Sequence, residues 1–255
     1  MKKIYVVSIL ILLAVVGASP AVADPIHVGD TLDLTFPGFP AGVPEGGVGV
    51  TRSFNGGSNG AFAALIHFLV AGGGSLDTFC VQIGVHVNTD TTATTTYEAI
   101  TPVGYSNQAG SPYDTTGPGF DPTGSLSSDE LTALERLWAN AYGLIDTNIE
   151  SAAFQLAIWE LVYDNAASGA YDLTTGLFQI LPSTAAAANA VALANSWLND
   201  AINAPTWTAT QSLVILHNDE YQDLLAPTSV PEPMTMLLLG MGLAGVGMIR
   251  RRMQA

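Results

Sequence analysis

One residue offers nucleophilic chemistry and stands alone of its kind. Cys80 is the only cysteine among 255 residues, within the run Leu76-Asp77-Thr78-Phe79-Cys80-Val81-Gln82-Ile83-Gly84-Val85-His86-Val87. Read as a strand at period two, Phe79, Val81, Ile83, Val85 and Val87 share one face, which is core. Cys80 falls on the other face with Thr78, Gln82 and His86. A cysteine kept for packing would more naturally sit on the apolar stripe. The position therefore points to a reactive thiol, whose attacking form is the thiolate. A lone cysteine excludes a disulfide within the chain and the Cys-rich zinc sites.

A glutamine is the second unusual residue. The run Glu150-Ser151-Ala152-Ala153-Phe154-Gln155-Leu156-Ala157-Ile158-Trp159-Glu160-Leu161-Val162-Tyr163 reads as a helix that is apolar nearly all round between Ala152 and Trp159, Gln155 excepted. A buried glutamine carries two N–H donors and a carbonyl that need partners. A bond to a nearby loop would satisfy them. A cysteine hydrolase would need a histidine beside Cys80. His86 lies about 20 Å along an extended strand at about 3.3 Å per residue, unless the chain turns at Gly84. His67 and His217 would have to approach from other strands. Calcium binding by Asp114 and Asp121 lacks ligand spacing. No metal, no cofactor and no enzymatic turnover are expected.

The elements that must position these residues fall in two blocks. Up to about Gly124 the chain reads as strands and turns. Leu32, Leu34 and Phe36 alternate with polar residues, Ala61 to Ala71 reads as one buried strand with a helix as the alternative, and Leu76 to Val87 is the clearest strand. Residues 102–124 form a long Gly/Pro/Ser/Asp loop. Three helices follow. The first is capped by Ser127 or Ser128 and buries Leu131, Leu134, Leu137 and Trp138. The second spans about Asn148 to Tyr163, and the third runs from after Pro182-Ser183 to about Ala201. Ser212 to His217 closes as a strand. Strands, then helices, then a strand argue α+β in a single domain, and no internal repeat is visible.

Both ends of the chain look like addresses. Met1-Lys2-Lys3, the apolar run Ile4 to Val16 and the Ala21-Val22-Ala23 cleavage site make residues 1–23 a secretory signal peptide. At the other end stand Val230-Pro231-Glu232-Pro233, an apolar run Met234 to Ile249, and Arg250-Arg251-Arg252. That run would be about 24 Å long as a helix. It is a single transmembrane segment, slightly short for a ~30 Å core, with arginines that snorkel on the cytoplasmic side. Residues 24–229 are the extracellular domain. From Asp24 to Val230 there are 21 acids, 2 bases and no lysine. Nucleic-acid binding needs clustered Lys and Arg and is excluded on that count. With 48% hydrophobic residues and four tryptophans, disorder is disfavoured.

Two resemblances rest on these residues. The ending, with Pro231, Glu232 and Pro233, the short apolar helix and Arg250, Arg251 and Arg252, resembles the PEP-CTERM sorting signal of Gram-negative bacteria. It implies processing by exosortase, a transient membrane anchor and a place at the cell surface or in an exopolysaccharide biofilm matrix. Phe79-Cys80-Val81-Gln82 followed by Phe154-Gln155-Leu156-Ala157-Ile158-Trp159 resembles the thioester domain of bacterial surface adhesins. That likeness implies a β-barrel or sandwich with a helical insertion. It also implies an internal thioester between Cys80 and Gln155, and covalent attachment to amine-bearing surface or matrix polymers. Phe79, Phe154 and Trp159 are expected to shield the bond from water. The missing lysines suit such a bond, since a protein that displays an amine-reactive group gains by carrying no amine of its own. If Gln155 is not the partner, Gln82, Gln211 and Gln222 come next. The alternative function is a non-covalent exopolysaccharide matrix protein.

Overall fold

A computed structural model describes residues 25–39, 47–54, 57–105, 126–164, 171–176, 178–204 and 206–228. The signal peptide, the sorting segment, Asp114 and Asp121 lie outside these residues. Residues 26–229 form one compact unit. Its strands are β1 Thr31–Thr35, β2 Val48–Phe54, β3 Gly57–Ala63, β4 Ile66–Val70, β5 Ser75–Cys80, β6 Thr94–Ile100, β7 Phe178–Leu181, β8 Leu213–His217 and β9 Leu224–Pro227. The helices are α1 Ser128–Ala141, α2 Asn148–Tyr163 and α3 Ala185–Asn203, with a 3-10 turn at Tyr142–Leu144.

Six strands close into an antiparallel barrel in the order β1-β4-β5-β9-β8-β6, and β3-β2-β7 form a separate sheet. The α+β expectation holds, with the barrel as its β part. The expected strand from Ala61 to Ala71 is two strands, because the chain leaves the small sheet at Ala63 and enters the barrel at Ile66. Leu65 between them donates its N–H to the Ser151 hydroxyl at 2.7 Å. The expected strand from Leu76 to Val87 is also cut short and ends at Cys80. Gly84 then takes a φ of +111°, where a residue without Cβ carries no strain. Two short strands, β7 and β9, lie where the sequence predicts none; each is only four residues long, and β9 does not alternate apolar with polar residues.

The register sorts the barrel into two faces. Cys80 pairs with Leu224, Leu224 with Leu216, and Leu216 with Ala99, so these four side chains share a face. Phe68 pairs with Leu76 on β4 and β5, and its ring meets that of Tyr97 at 6.3 Å. This face is the barrel interior. The opposite face of β5 carries Phe79, which packs on the helices.

The helices start where the sequence provides caps. Ser127 with Glu130, and Thr147 with Glu150, each make a reciprocal capping box for α1 and α2. Leu134, Leu137 and Trp138 of α1 are buried as expected, while Leu131 is only half-buried. Helix α2 is buried on nearly every side. Small residues permit this close fit, with Ala152, Ala153 and Ala157 on α2 and Ala187, Ala190 and Ala194 on α3 all buried.

Candidate functional site

Strand β5 delivers Cys80 to the place where β4 has ended. Ile66 pairs with Thr78, so the Cys80 main chain, two residues on, faces an edge without a partner strand. Gln155 fills that vacant position. Its Oε1 accepts from the Cys80 N–H at 2.8 Å, and its Nε2 donates to the Cys80 carbonyl at 2.8 Å. The side-chain amide thus continues the ladder that β4 leaves off, and no buried main-chain group of Cys80 goes unpaired on that side. Ser151, Gln155, Trp159 and Tyr163 follow one another at four-residue spacing and so form one row along α2. Ser151 holds Leu65, Gln155 holds Cys80, and the Tyr163 hydroxyl accepts from the Ile83 N–H at 2.8 Å. One helix row therefore fixes the chain on both sides of the thiol.

The sulfur itself meets a different glutamine. The Cys80 thiol donates to Gln222 Oε1 at 2.6 Å. Gln222 precedes β9 and is held on both ends. Its Nε2 donates to the Gln82 carbonyl, and its main-chain N–H donates to the His86 carbonyl at 3.2 Å. Asp223, the next residue, donates its N–H to Gln82 Oε1 at 3.1 Å. Its carboxylate accepts from the Tyr105 hydroxyl at 2.7 Å and from the Asn218 N–H at 2.9 Å. The turn carrying Gln222 is therefore pinned by several independent bonds. Gln211, by contrast, is half-exposed and donates to the Ser212 carbonyl at 3.2 Å.

Cys80 does not lie on a polar outward face. It points into the barrel interior and is 6% exposed. The period-two pattern implies one solvated face, but here the barrel closes over one side of β5 and the helices cover the other. Burial pushes the thiol's pKa well up, so it is a neutral thiol at rest.

Phe79 and Phe154, expected to shield the bond, meet with ring centroids 4.6 Å apart on the face of β5 opposite the Cys80 side chain. Trp138 joins them, 5.6 Å from Phe79 and 5.5 Å from Phe154. The sequence places Trp138 on a core face but does not link it to this cluster. Trp159 is buried in the Gln155 row, and its ring meets that of Phe178 in a T-shaped arrangement at 6.4 Å.

Two of the histidines are engaged elsewhere. His67 pairs with Asp77 at 2.6 Å, and His217 with Asp223 at 3.0 Å. His86 is exposed. Among the described residues no hydrogen bond joins a histidine to the thiol, and no group of three metal-ligating side chains is present.

Comparison with known proteins locates a PEP-CTERM protein-sorting motif at residues 229–252. The motif marks an exported protein that exosortase processes. Among curated proteins none matches the chain. The fold is similar to the N-terminal domain of the Streptococcus pyogenes pilus tip adhesin Cpa, at 14% identity and a TM-score of 0.43, over 84% of this chain and 100% of that one. It is also similar to the N-terminal thioester domain of fibronectin-binding protein SfbI from Streptococcus pyogenes, at 18% identity and a TM-score of 0.38. That match covers 71% of this chain and 93% of the other.

Proposed function

We propose that this is a cell-surface or matrix protein that attaches covalently to amine-bearing polymers through an internal thioester at Cys80. The observation that carries the reading is the convergence of two glutamine amides on one buried cysteine, Gln155 on its main chain and Gln222 on its sulfur. The surroundings support it as well, since the Cys80 side chain is buried inside the barrel on the face it shares with Leu224, Leu216 and Ala99, where a hydrolysable bond would be kept from water.

The chemistry balances without a cofactor. The sulfur attacks a glutamine Cδ, a C–S bond forms, the C–N bond breaks, and the thiol proton leaves with the nitrogen as ammonia. An incoming amine later takes the acyl group and returns the thiol. Each molecule spends one bond, so the protein is a single-use binder and not an enzyme. The sequence motifs nominate Gln155 as the acyl donor. The geometry favours Gln222, whose carbonyl oxygen is the atom in contact with the sulfur, and gives Gln155 the task of fixing Cys80.

Exosortase would release the protein from its membrane segment into an exopolysaccharide-rich biofilm of a Gram-negative cell. There the anionic, lysine-free body would be drawn to partly deacetylated, amine-bearing polysaccharides. Intact mass tests the reading. A thioester lowers the mass by about 17 Da through loss of ammonia, and protects the thiol from alkylation until methylamine opens the bond. Full mass with a freely alkylated Cys80 in fresh protein leaves a non-covalent matrix protein.

A further inference from the structure

Thioester formation must carry the thiol proton to the departing nitrogen, whereas in the structure the thiol is hydrogen-bonded to the Gln222 carbonyl oxygen. The thiol is neutral, the amide nitrogen is a poor leaving group until protonated, and no histidine is bonded to the sulfur among the described residues. Tyr97 stands on β6 two residues from Ala99, and so points to the barrel face that Cys80 shares through Leu224 and Leu216. It is fully buried, and its hydroxyl has no hydrogen-bond partner among the described residues. A buried hydroxyl without a partner costs stability, so a position that keeps one calls for an explanation.

We infer that the Tyr97 hydroxyl carries the proton between the Cys80 sulfur and the glutamine nitrogen when the thioester forms, and back when an amine opens it. This rests on the thioester reading above. In the forward direction the phenol oxygen takes the thiol proton as the C–S bond forms and gives its own to the departing nitrogen, which leaves as ammonia. In the reverse direction it protonates the leaving sulfur and accepts a proton from the attacking amine. The tyrosine ends each cycle unchanged. Burial is the largest influence on Tyr97 and Cys80 alike and raises both pKa values, and the charge of Cys80 is the next influence felt by Tyr97. Asp223 and Tyr221 also raise Tyr97, so the pocket disfavours a lasting phenolate.

The test uses the secreted protein and three chemical states. Excess ammonia should open the wild-type bond and restore both the thiol and the glutamine amide. Removing the ammonia should let the loss of about 17 Da return, at a rate read by intact mass. In Tyr97→Phe that return should slow about 100-fold, the size usual for a lost proton-transfer group. Thermal stability should hold or rise, since an unpaired hydroxyl has gone. Methylamine opening of the wild type should show a solvent deuterium isotope effect that Tyr97→Phe lacks. Return of the bond in Tyr97→Phe at the wild-type rate, or no isotope effect in the wild type, overturns the inference while leaving the thioester intact. A wild-type protein that never shows the mass loss overturns the thioester reading, and the inference with it.

Discussion

Two of the polar side chains that helix α2 buries, Gln155 and Glu160, lie five residues apart and are built on opposite principles. Gln155 is neutral, and both ends of its amide are paired with the Cys80 main chain. Glu160 is equally buried but ionisable. One oxygen accepts from the Asp172 N–H at 2.7 Å, while the other has no hydrogen-bond partner among the described residues. Burial, then the neighbouring Asp164, push its pKa up to about 8. The contrast shows how the fold separates two demands. The centre at the thiol uses amides, which hold geometry without charge and respond little to pH. The centre at the helix end uses a carboxyl group, which ties stability to pH.

The sharpest way to break this comparison is to remove the atoms of the amide centre one at a time. Cys80→Ala and Gln222→Ala should each abolish the mass loss and all methylamine uptake, read by intact mass and peptide mapping. Loss of the bond in Gln155→Ala and its survival in Gln222→Ala would reverse the assignment of the acyl donor.

The next effect is on stability. Gln155→Ala leaves the Cys80 N–H and carbonyl unpaired in a dry site and opens a cavity. It should cost about 2–4 kcal/mol in urea unfolding. An effect below about 1 kcal/mol would mean that water takes over the amide's bonds.

The carboxyl centre predicts a pH dependence whose sign follows from the raised pKa. A carboxyl group that holds its proton more tightly when folded stabilises the protein below its unfolded pKa and loses that contribution as pH rises through the folded value. Between the ordinary value of 4.5 and about 8, Glu160 should therefore lower the melting temperature as pH increases. Glu160→Gln should flatten that slope and, above the window, gain about 1–3 kcal/mol over the wild type. The thioester content should not follow Glu160 at all.

An effect of similar size is expected at the start of the same row. Ser151→Ala removes the acceptor for the buried Leu65 N–H, where the chain crosses from the small sheet into the barrel. It should cost about 1–3 kcal/mol, with the thioester still formed.

Much of α2 is legible in the sequence. Thr147 and Glu150 cap it, an unbroken run without glycine or proline continues it, and its apolar circumference announces its burial. Gln155 stands out there because it is the polar exception. Gln222 does not, because Tyr221-Gln222-Asp223 carries no periodicity and its importance lies in a contact with a residue 142 positions away. Tyr97 is silent for a similar reason, since a tyrosine in a Thr-rich strand reads as ordinary β-propensity. Its missing partner is visible only when every neighbour is in place.

By itself the sequence determined what is local or covalent. It set the sorting segment at the C-terminus, the three helices and the cap of the first, the lone thiol and the lysine-free body. These follow from residue type, short-range periodicity and counting, which do not depend on where distant segments go. Only the tertiary structure decided that β5 stops at Cys80, that both of its faces are buried, and that two glutamines divide one cysteine between main chain and sulfur. Barrel closure and helix docking bring together groups far apart in the chain, and no local pattern encodes which edge β4 leaves open or which amide fills it.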